Sequence, residues 1–307
     1  MERALELAER GRGTTHPNPV VGAVVVRDGE VVGEGWHERK GGPHAEVAAL
    51  AAAGERARGA TLYVTLEPCA HHGSTPPCTR TVIDSGVAKV VAGSLDPNPE
   101  AAGGFDLLRA AGVEVEHADS FAARAQNEAW RKWITQQRPF VVLKLAQTLD
   151  GRLTVPGTRW VSNEASRRRV HELRAQVDAV AVGMGTVRAD DPRLTARGVE
   201  AARQPRRLVF GAGPSELEVR SGPLDEELRT LAAEGVQSLL LEGGPTLATS
   251  FLRAGLVDKV MLFVAPRVAG EGLRFAPELD APVALTRPAV ERIDGDLLYT
   301  AYIHEPS

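Results

Sequence analysis

Thr61-Leu62-Tyr63-Val64-Thr65-Leu66-Glu67-Pro68-Cys69 followed by Pro76-Pro77-Cys78-Thr79-Arg80-Thr81-Val82-Ile83 decides the reading of the first half of the chain. The first piece is a β-branched strand that stops at Glu-Pro, and the second opens a helix after two prolines, running to about Ser85. Both cysteines of the 307-residue chain lie in this one strand-to-helix passage. Upstream, Gly41-Gly42-Pro43 ends a loop and His44-Ala45-Glu46 opens an alanine-rich helix to Ala53. A histidine and two cysteinates give a tetrahedral Zn²⁺ three protein ligands and leave a fourth place for water. A structural zinc would close with four ligands, so an open set of His44, Cys69 and Cys78 implies chemistry. Zinc lowers the pKa of such a water to about 7. Glu46, two residues after His44, is the natural proton carrier between attacking water and departing amine, the parts of a hydrolytic deamination of a heterocycle.

Working outward, residues 2–11 read as a short amphipathic helix and Val20–Val26 with Val31-Val32 as a hairpin turning at Asp28-Gly29. Val87–Ala92 is a strand, Phe105–Ala111 a helix and Val113–Val115 a further strand. Phe121, Ala125, Ala129 and Trp133 lie at helical spacing, so 119–137 is expected to be one connecting helix. Arg138-Pro139 breaks it, because the residue before proline avoids the α region. A second series of strands starts at Phe140: Val141–Ala146, Val177–Val182, Leu208–Phe210, Ser238–Leu241, Lys259–Ala265 and Leu297–Ile303. Strands alternating with helices mean α/β with a mainly parallel sheet. The expectation is two different domains, 1–137 and 138–307.

Composition narrows the partners. Apolar residues are 43% and the formal net charge is −4, which suits a globular protein and argues against nucleic-acid binding through bulk charge. No window approaches a membrane span, and Met1–Leu5 lacks the apolar core of a signal peptide. Two cysteines make no disulfide scaffold and fit a reducing cytoplasm. Neither nucleic acid nor a membrane is expected as a partner.

The eight residues between Cys69 and Cys78, Ala70-His71-His72-Gly73-Ser74-Thr75-Pro76-Pro77, depart from the general deaminase spacing of two. With Thr15–Val26, Gly41–Glu46, Tyr63–Cys69 and Asp96-Pro97-Asn98-Pro99, this insert closely resembles the bifunctional riboflavin-biosynthesis deaminase/reductase family. The resemblance continues through Leu143–Arg152, Arg159–Ser162, Gly185–Thr195 and Leu241–Pro245. It implies a cytidine-deaminase-like α/β/α domain with zinc on His44, Cys69 and Cys78 and proton transfer by Glu46. It also implies a small phosphorylated pyrimidine as the partner and a homo-oligomer as the assembly, with Asn18, His37 and His71 as pocket residues around the pyrimidine and its ribose phosphate. Ser74 stands where relatives usually carry Lys or Arg. For the second half it implies a dihydrofolate-reductase-like α/β domain that reduces a ribosyl group with NADPH. NADPH contacts fall on Ala146, Trp160, Thr186, Asp190 and Gly244-Pro245-Thr246-Leu247-Ala248-Thr249-Ser250. Substrate contacts fall on Thr158, Arg174, Leu194, Arg197 and Glu242, with Arg174 and Arg197 expected to converge on one phosphate.

Read without the family, Leu239–Thr246 is a strand, a glycine turn and a helix start suited to a phosphate, and no G-x-G-x-x-G supports a Rossmann site. Relatives usually have a longer stretch between about Gly198 and Gly235, which helps complete the cofactor site. The main alternative is therefore a deaminase whose second domain binds but does not reduce. A nucleoside or tRNA-adenosine deaminase is disfavoured by the insert and the second domain, and a zinc-stabilised binding protein by the open fourth position and Glu46.

Overall fold

The computed structural model describes residues 1–71 and 76–306. Its contacts divide into two compact units, Met1–Gln136 and Gln137–Glu305.

In the first unit, α1 (Glu2–Glu9) precedes an antiparallel hairpin of β1 (Gly22–Arg27) and β2 (Glu30–Trp36), and then α2 (Ala45–Ala53). There follow β3 (Thr61–Val64), α3 (Cys78–Ser85), β4 (Lys89–Ala92), α4 (Gly104–Ala110), β5 (Glu114–His117), α5 (Phe121–Gln126) and α6 (Glu128–Gln136). The strands order β2-β1-β3-β4-β5. Only β3, β4 and β5 run parallel, because the hairpin turns β1 against β3, so this sheet is mixed rather than mainly parallel. Val25, Leu62, Val64, Val90 and Ala92 form a core with Ala45, Ala49 and Leu50 of α2.

Close packing of α2 on the sheet fixes the height of its first turn. A Cβ at Gly33 or Gly35 would lie 2.3 Å from the Ala49 carbonyl oxygen or 2.4 Å from the Ala49 nitrogen. Only glycines in β2 and small residues in α2 permit that approach. Residues 119–137 form two helices, not one. They break at Asn127, whose buried side chain accepts from Val20 N–H and donates to the Val20 carbonyl, both at 2.9 Å. An asparagine that satisfies a distant backbone pair is turned away from helical continuation.

The second unit runs β6 (Phe140–Thr148), α7 (Glu164–Gln176), β7 (Ala179–Gly183), α8 (Met184–Asp190), β8 (Arg206–Phe210), β9 (Glu218–Arg220), α9 (Leu224–Ala233) and β10 (Ser238–Leu241). It continues with α10 (Pro245–Arg253), β11 (Lys259–Ala265), β12 (Thr286–Ile293) and β13 (Asp296–Tyr302). The sheet order is β12-β13-β11-β6-β10-β7-β8-β9. From β11 to β9 every pairing is parallel, so β6, β10, β7 and β8 present their carboxyl ends along one edge, the usual ligand edge of an open α/β sheet. Strands β9 and β12 escape a reading by apolar pattern. The first has three residues, and the second is exposed along nearly its whole length.

Candidate functional site: a metal centre and a cofactor edge

His44 caps α2, Cys78 is the first residue of α3, and Cys69 lies on the loop leaving β3. The fold brings their three donor atoms within 4.8 Å of one another. His44 Nδ1 is 3.1 Å from Cys78 Sγ and 3.7 Å from Cys69 Sγ. Zinc bonds of about 2.0 Å to nitrogen and 2.3 Å to sulfur at tetrahedral angles need donors about 3.5–3.8 Å apart, so the trio fits that ion with little adjustment. The sulfurs are already unequal. The Cys78 thiol donates toward Cys69, which holds Cys69 below the usual thiol range and pushes Cys78 up. Cys78 N–H adds a donation to Cys69 Sγ at 3.3 Å.

Glu46 lies in the first turn of α2, only 3% exposed. Burial pushes its carboxyl up to about 7, with the Cys69 thiolate adding and His44 opposing. A carboxyl poised there exchanges protons readily at neutral pH. Asn18 Nδ2 donates to His37 Nε2 at 3.3 Å, and His37 Nδ1 donates to the Pro43 carbonyl at 3.0 Å. Those partners require a neutral ring protonated on Nδ1, and burial lowers the His37 pKa in the same sense.

Asn18, His37, Glu46, Cys69 and His71 line one cavity of about 210 Å³, with His71 exposed. Ser74 lies outside the described residues. Further lining residues not singled out as site residues from sequence include Glu67, Asp96, Asn98 and Trp130. Buried Glu67 accepts from the N–H groups of Asp96 at 3.2 Å and Phe105 at 2.9 Å, so it sets the wall that carries Asp96. Burial pushes the Asp96 carboxyl up to about 6 against the donation from Asn98 N–H. The Asp96-Pro97-Asn98-Pro99 motif and Glu67-Pro68 held that signal. Trp130, on a helix read as a connector, had none.

In the second unit Arg174 sits in the last turn of α7 and grips Glu242 with both arms. Nε donates to Oε1 at 2.6 Å and Nη2 to Oε2 at 3.0 Å, while Nη1 reaches the Thr195 carbonyl at 3.2 Å. The fork expected to take a phosphate with Arg197 is thus spent on a carboxylate, the partner it matches best inside a protein. Lys144 Nζ on β6 stands 3.7 Å from Glu242 Oε2 and was not foreseen from sequence. Burial alone would raise Glu242, but Lys144 and then Arg174 more than offset it and hold the carboxyl below its usual range. Arg197 donates to Thr195 Oγ1 at 2.8 Å, and its pKa is lowered by burial and then by Arg174 and Arg193. Crowded cations of this kind gain from an incoming anion. Leu194 has φ +54° and a side chain buried against Val180, Val182 and Leu240, so only its backbone can face a ligand.

The cofactor residues gather only in part. Ala146 is on β6, Thr186 and Asp190 on α8, and Gly244 caps α10 ahead of Pro245. A Cβ on Gly244 would lie 3.6 Å from Thr186 Oγ1, which brings those two elements together. The first turn of α10, with Thr246 and Leu247, offers unbonded N–H groups. That donor set and the space left at Gly244 suit the pyrophosphate of a dinucleotide. Ala248 is wholly buried in the core and supports the turn from behind, and Ser250 Oγ is bonded to the Thr246 carbonyl. Thr158 and Trp160 share an exposed turn, where Trp160 stacks between the guanidinium groups of Arg159 and Arg167 at 5.1 and 5.2 Å.

The profile of the RibD C-terminal domain matches residues 139–299, and that of the cytidine and deoxycytidylate deaminase zinc-binding region matches residues 1–94. The chain is 42% identical to the riboflavin biosynthesis protein RibD of Aquifex aeolicus, over 97% of this chain and 96% of that one. This chain belongs to the RibD family. Identity to the Escherichia coli RibD is 40%, over 95% and 92% of the two chains. A solved RibD from Acinetobacter baumannii superposes with a TM-score of 0.87 at 35% identity, covering 98% of this chain and 97% of that one. The Thermotoga maritima diaminohydroxyphosphoribosylaminopyrimidine deaminase/5-amino-6-(5-phosphoribosylamino)uracil reductase gives 0.86 at 36% identity over the same shares. This RibD-family chain is a bifunctional deaminase and reductase of riboflavin biosynthesis that uses zinc and NADPH. Among the described residues no helix is long and apolar enough to cross a membrane.

Proposed function

We propose that the first site deaminates 2,5-diamino-6-(5-phosphoribosylamino)pyrimidin-4(3H)-one, and that the second reduces the ribosyl group of the product to give 5-amino-6-(5-phosphoribitylamino)uracil. The observation that carries the first step is the cluster of His44, Cys69 and Cys78 donors, with buried Glu46, His44 and Cys69 lining one cavity. Zinc supplies Lewis acidity there, bringing the ionisation of water near neutrality. Glu46 accepts the proton from the attacking water and returns it to the leaving amine, which departs as ammonia. Asn18 and the neutral His37 fix the ring edge, and Asp96 and Asn98 line the same cavity.

For the second step a nicotinamide cofactor, held at Gly244 and Thr186, would supply hydride to the ribosyl C1′. The bond from C1′ to the ring oxygen breaks, and that oxygen needs a proton. Lys144 supplies it, and Glu242, locked by Arg174, holds the ammonium in place. Arg197 takes the ribose phosphate. Domains 1–137 and 138–307 thus carry one step each, in the order of their chemistry.

The chain works in the cytoplasm, where its two free cysteines stay reduced, and as a homo-oligomer. Exposure of β12 along its length, Val290 included, supports a second copy at that edge. The test is turnover of the diaminopyrimidine substrate with and without NADPH. Ammonia should appear in both cases, and NADPH oxidation only once deaminated product has formed. Ammonia release with no NADPH oxidation would leave a deaminase with a binding-only second domain.

A further inference from the structure

Along the ligand edge of the second sheet the strands follow in the order β6, β10, β7, β8. Ala146 belongs to β6, Gly244 follows β10 and Thr186 follows β7. The proton transfer proposed at Lys144 puts the nicotinamide near Ala146 on the same strand, and a dinucleotide with its pyrophosphate between Gly244 and Thr186 would then direct its adenosine end at the carboxyl end of β8. Strands about 4.8 Å apart make that run a few strand widths long, within reach of an extended dinucleotide. The way is open. Gly185, in the first turn of α8, has no side chain, and a Cβ there would meet nothing within 4 Å.

Beyond it lies Gly211-Ala212-Gly213, leaving β8 with φ +127° at Gly211 and +134° at Gly213. Arg188 projects from α8 over this turn, and a Cβ on Gly213 would lie 3.3 Å from its Nη2. Thr186 and Arg188 are two residues apart on a helix and so face opposite sides, Thr186 toward β10 and Arg188 toward β8. Arg188 is exposed and has no ion pair or hydrogen bond among the described residues. Its neighbour at that end differs. Arg220, whose carbonyl accepts from Gly211 N–H, is engaged by Glu218, Glu227 and Glu234. Glycines at the turn let a phosphate approach the backbone while the guanidinium closes over it.

We infer that Arg188, above the Gly211–Gly213 turn, binds the 2′-phosphate of the adenosine ribose and sets the preference of this chain for NADPH over NADH. The two cofactors differ only in that phosphate. The inference rests on the cofactor placement proposed above, and the experiment separates the two. Dissociation constants for NADPH and NADH are measured by calorimetry for the unaltered chain, Arg188→Ala and Gly244→Val. Loss of a charged hydrogen-bonding partner should weaken NADPH by about 10- to 100-fold in Arg188→Ala, leaving NADH unchanged. The unchanged NADH value also reports an intact fold. Gly244→Val should weaken both cofactors alike. If Arg188→Ala keeps the discrimination while Gly244→Val weakens both, the assignment of Arg188 is overturned and the placement stands. If Gly244→Val changes neither, the placement itself is wrong.

Discussion

The two sites are built on opposite plans. In the first unit His44, Cys69 and Cys78 converge with donors at a metal ion's spacing, and Glu46 is buried beside them. In the second unit the charges are already matched to each other, with Arg174, Lys144 and Glu242 forming a closed knot. Around that knot the cofactor edge is mostly glycine, backbone and open space. A metal reaction asks the protein for particular ligand atoms, whereas hydride chemistry belongs to the cofactor and asks mainly for shape. Substitutions should therefore act abruptly at the first site and by degrees at the second.

The largest effect is expected at Glu46. Glu46→Gln keeps the volume and removes the proton acceptor, so ammonia release should fall by at least about 10²–10⁴-fold with zinc retained. A near-normal rate would show that another group moves the proton. Cys78→Ser should lose zinc and deamination together, because a neutral hydroxyl replaces a thiolate ligand. Metal analysis decides this, and stoichiometric zinc in the variant would remove Cys78 from the centre.

Arg174→Ala probes the knot and is expected to act less steeply. With the Arg174 fork gone, the buried Glu242 carboxyl loses one of the groups that, with Lys144 and His171, hold its pKa down. Its pKa rises, so the acid limb of the reductase profile should move to higher pH, with activity lost earlier as pH falls. The overall loss at neutral pH should be about 10- to 150-fold, the worth of a charged hydrogen bond. A raised substrate KM with an unmoved pH profile would instead return Arg174 to the phosphate. The smallest effect belongs to Asn18→Ala, which removes a neutral hydrogen bond to His37 worth about 1 kcal/mol. Deaminase KM should rise several-fold with zinc content unchanged.

The same contrast explains what the sequence disclosed. His44-Ala45-Glu46 and the two cysteines are close in sequence to the strand and helix ends that hold them, so their convergence was legible. So were the principal strands of both sheets and the hairpin at Asp28-Gly29. The break at Asn127 was not, because it depends on a bond to Val20, 107 residues away. Glu67 works through backbone N–H groups that carry no residue signature. Arg174 has the right residue type for a phosphate, and only the fold shows that Glu242, 68 residues on, takes the fork first. Strand β12 shows no apolar alternation because nearly every position is exposed.

That each unit carries its own reaction is tested most directly by one variant and one assay. Glu46→Gln is given pre-deaminated substrate, and NADPH oxidation is followed against the unaltered chain. The expected result is an unchanged rate of NADPH oxidation alongside loss of ammonia release from the diaminopyrimidine. NADPH oxidation that falls in step with deamination, in a variant with its zinc and fold intact, would contradict two separate sites in one chain.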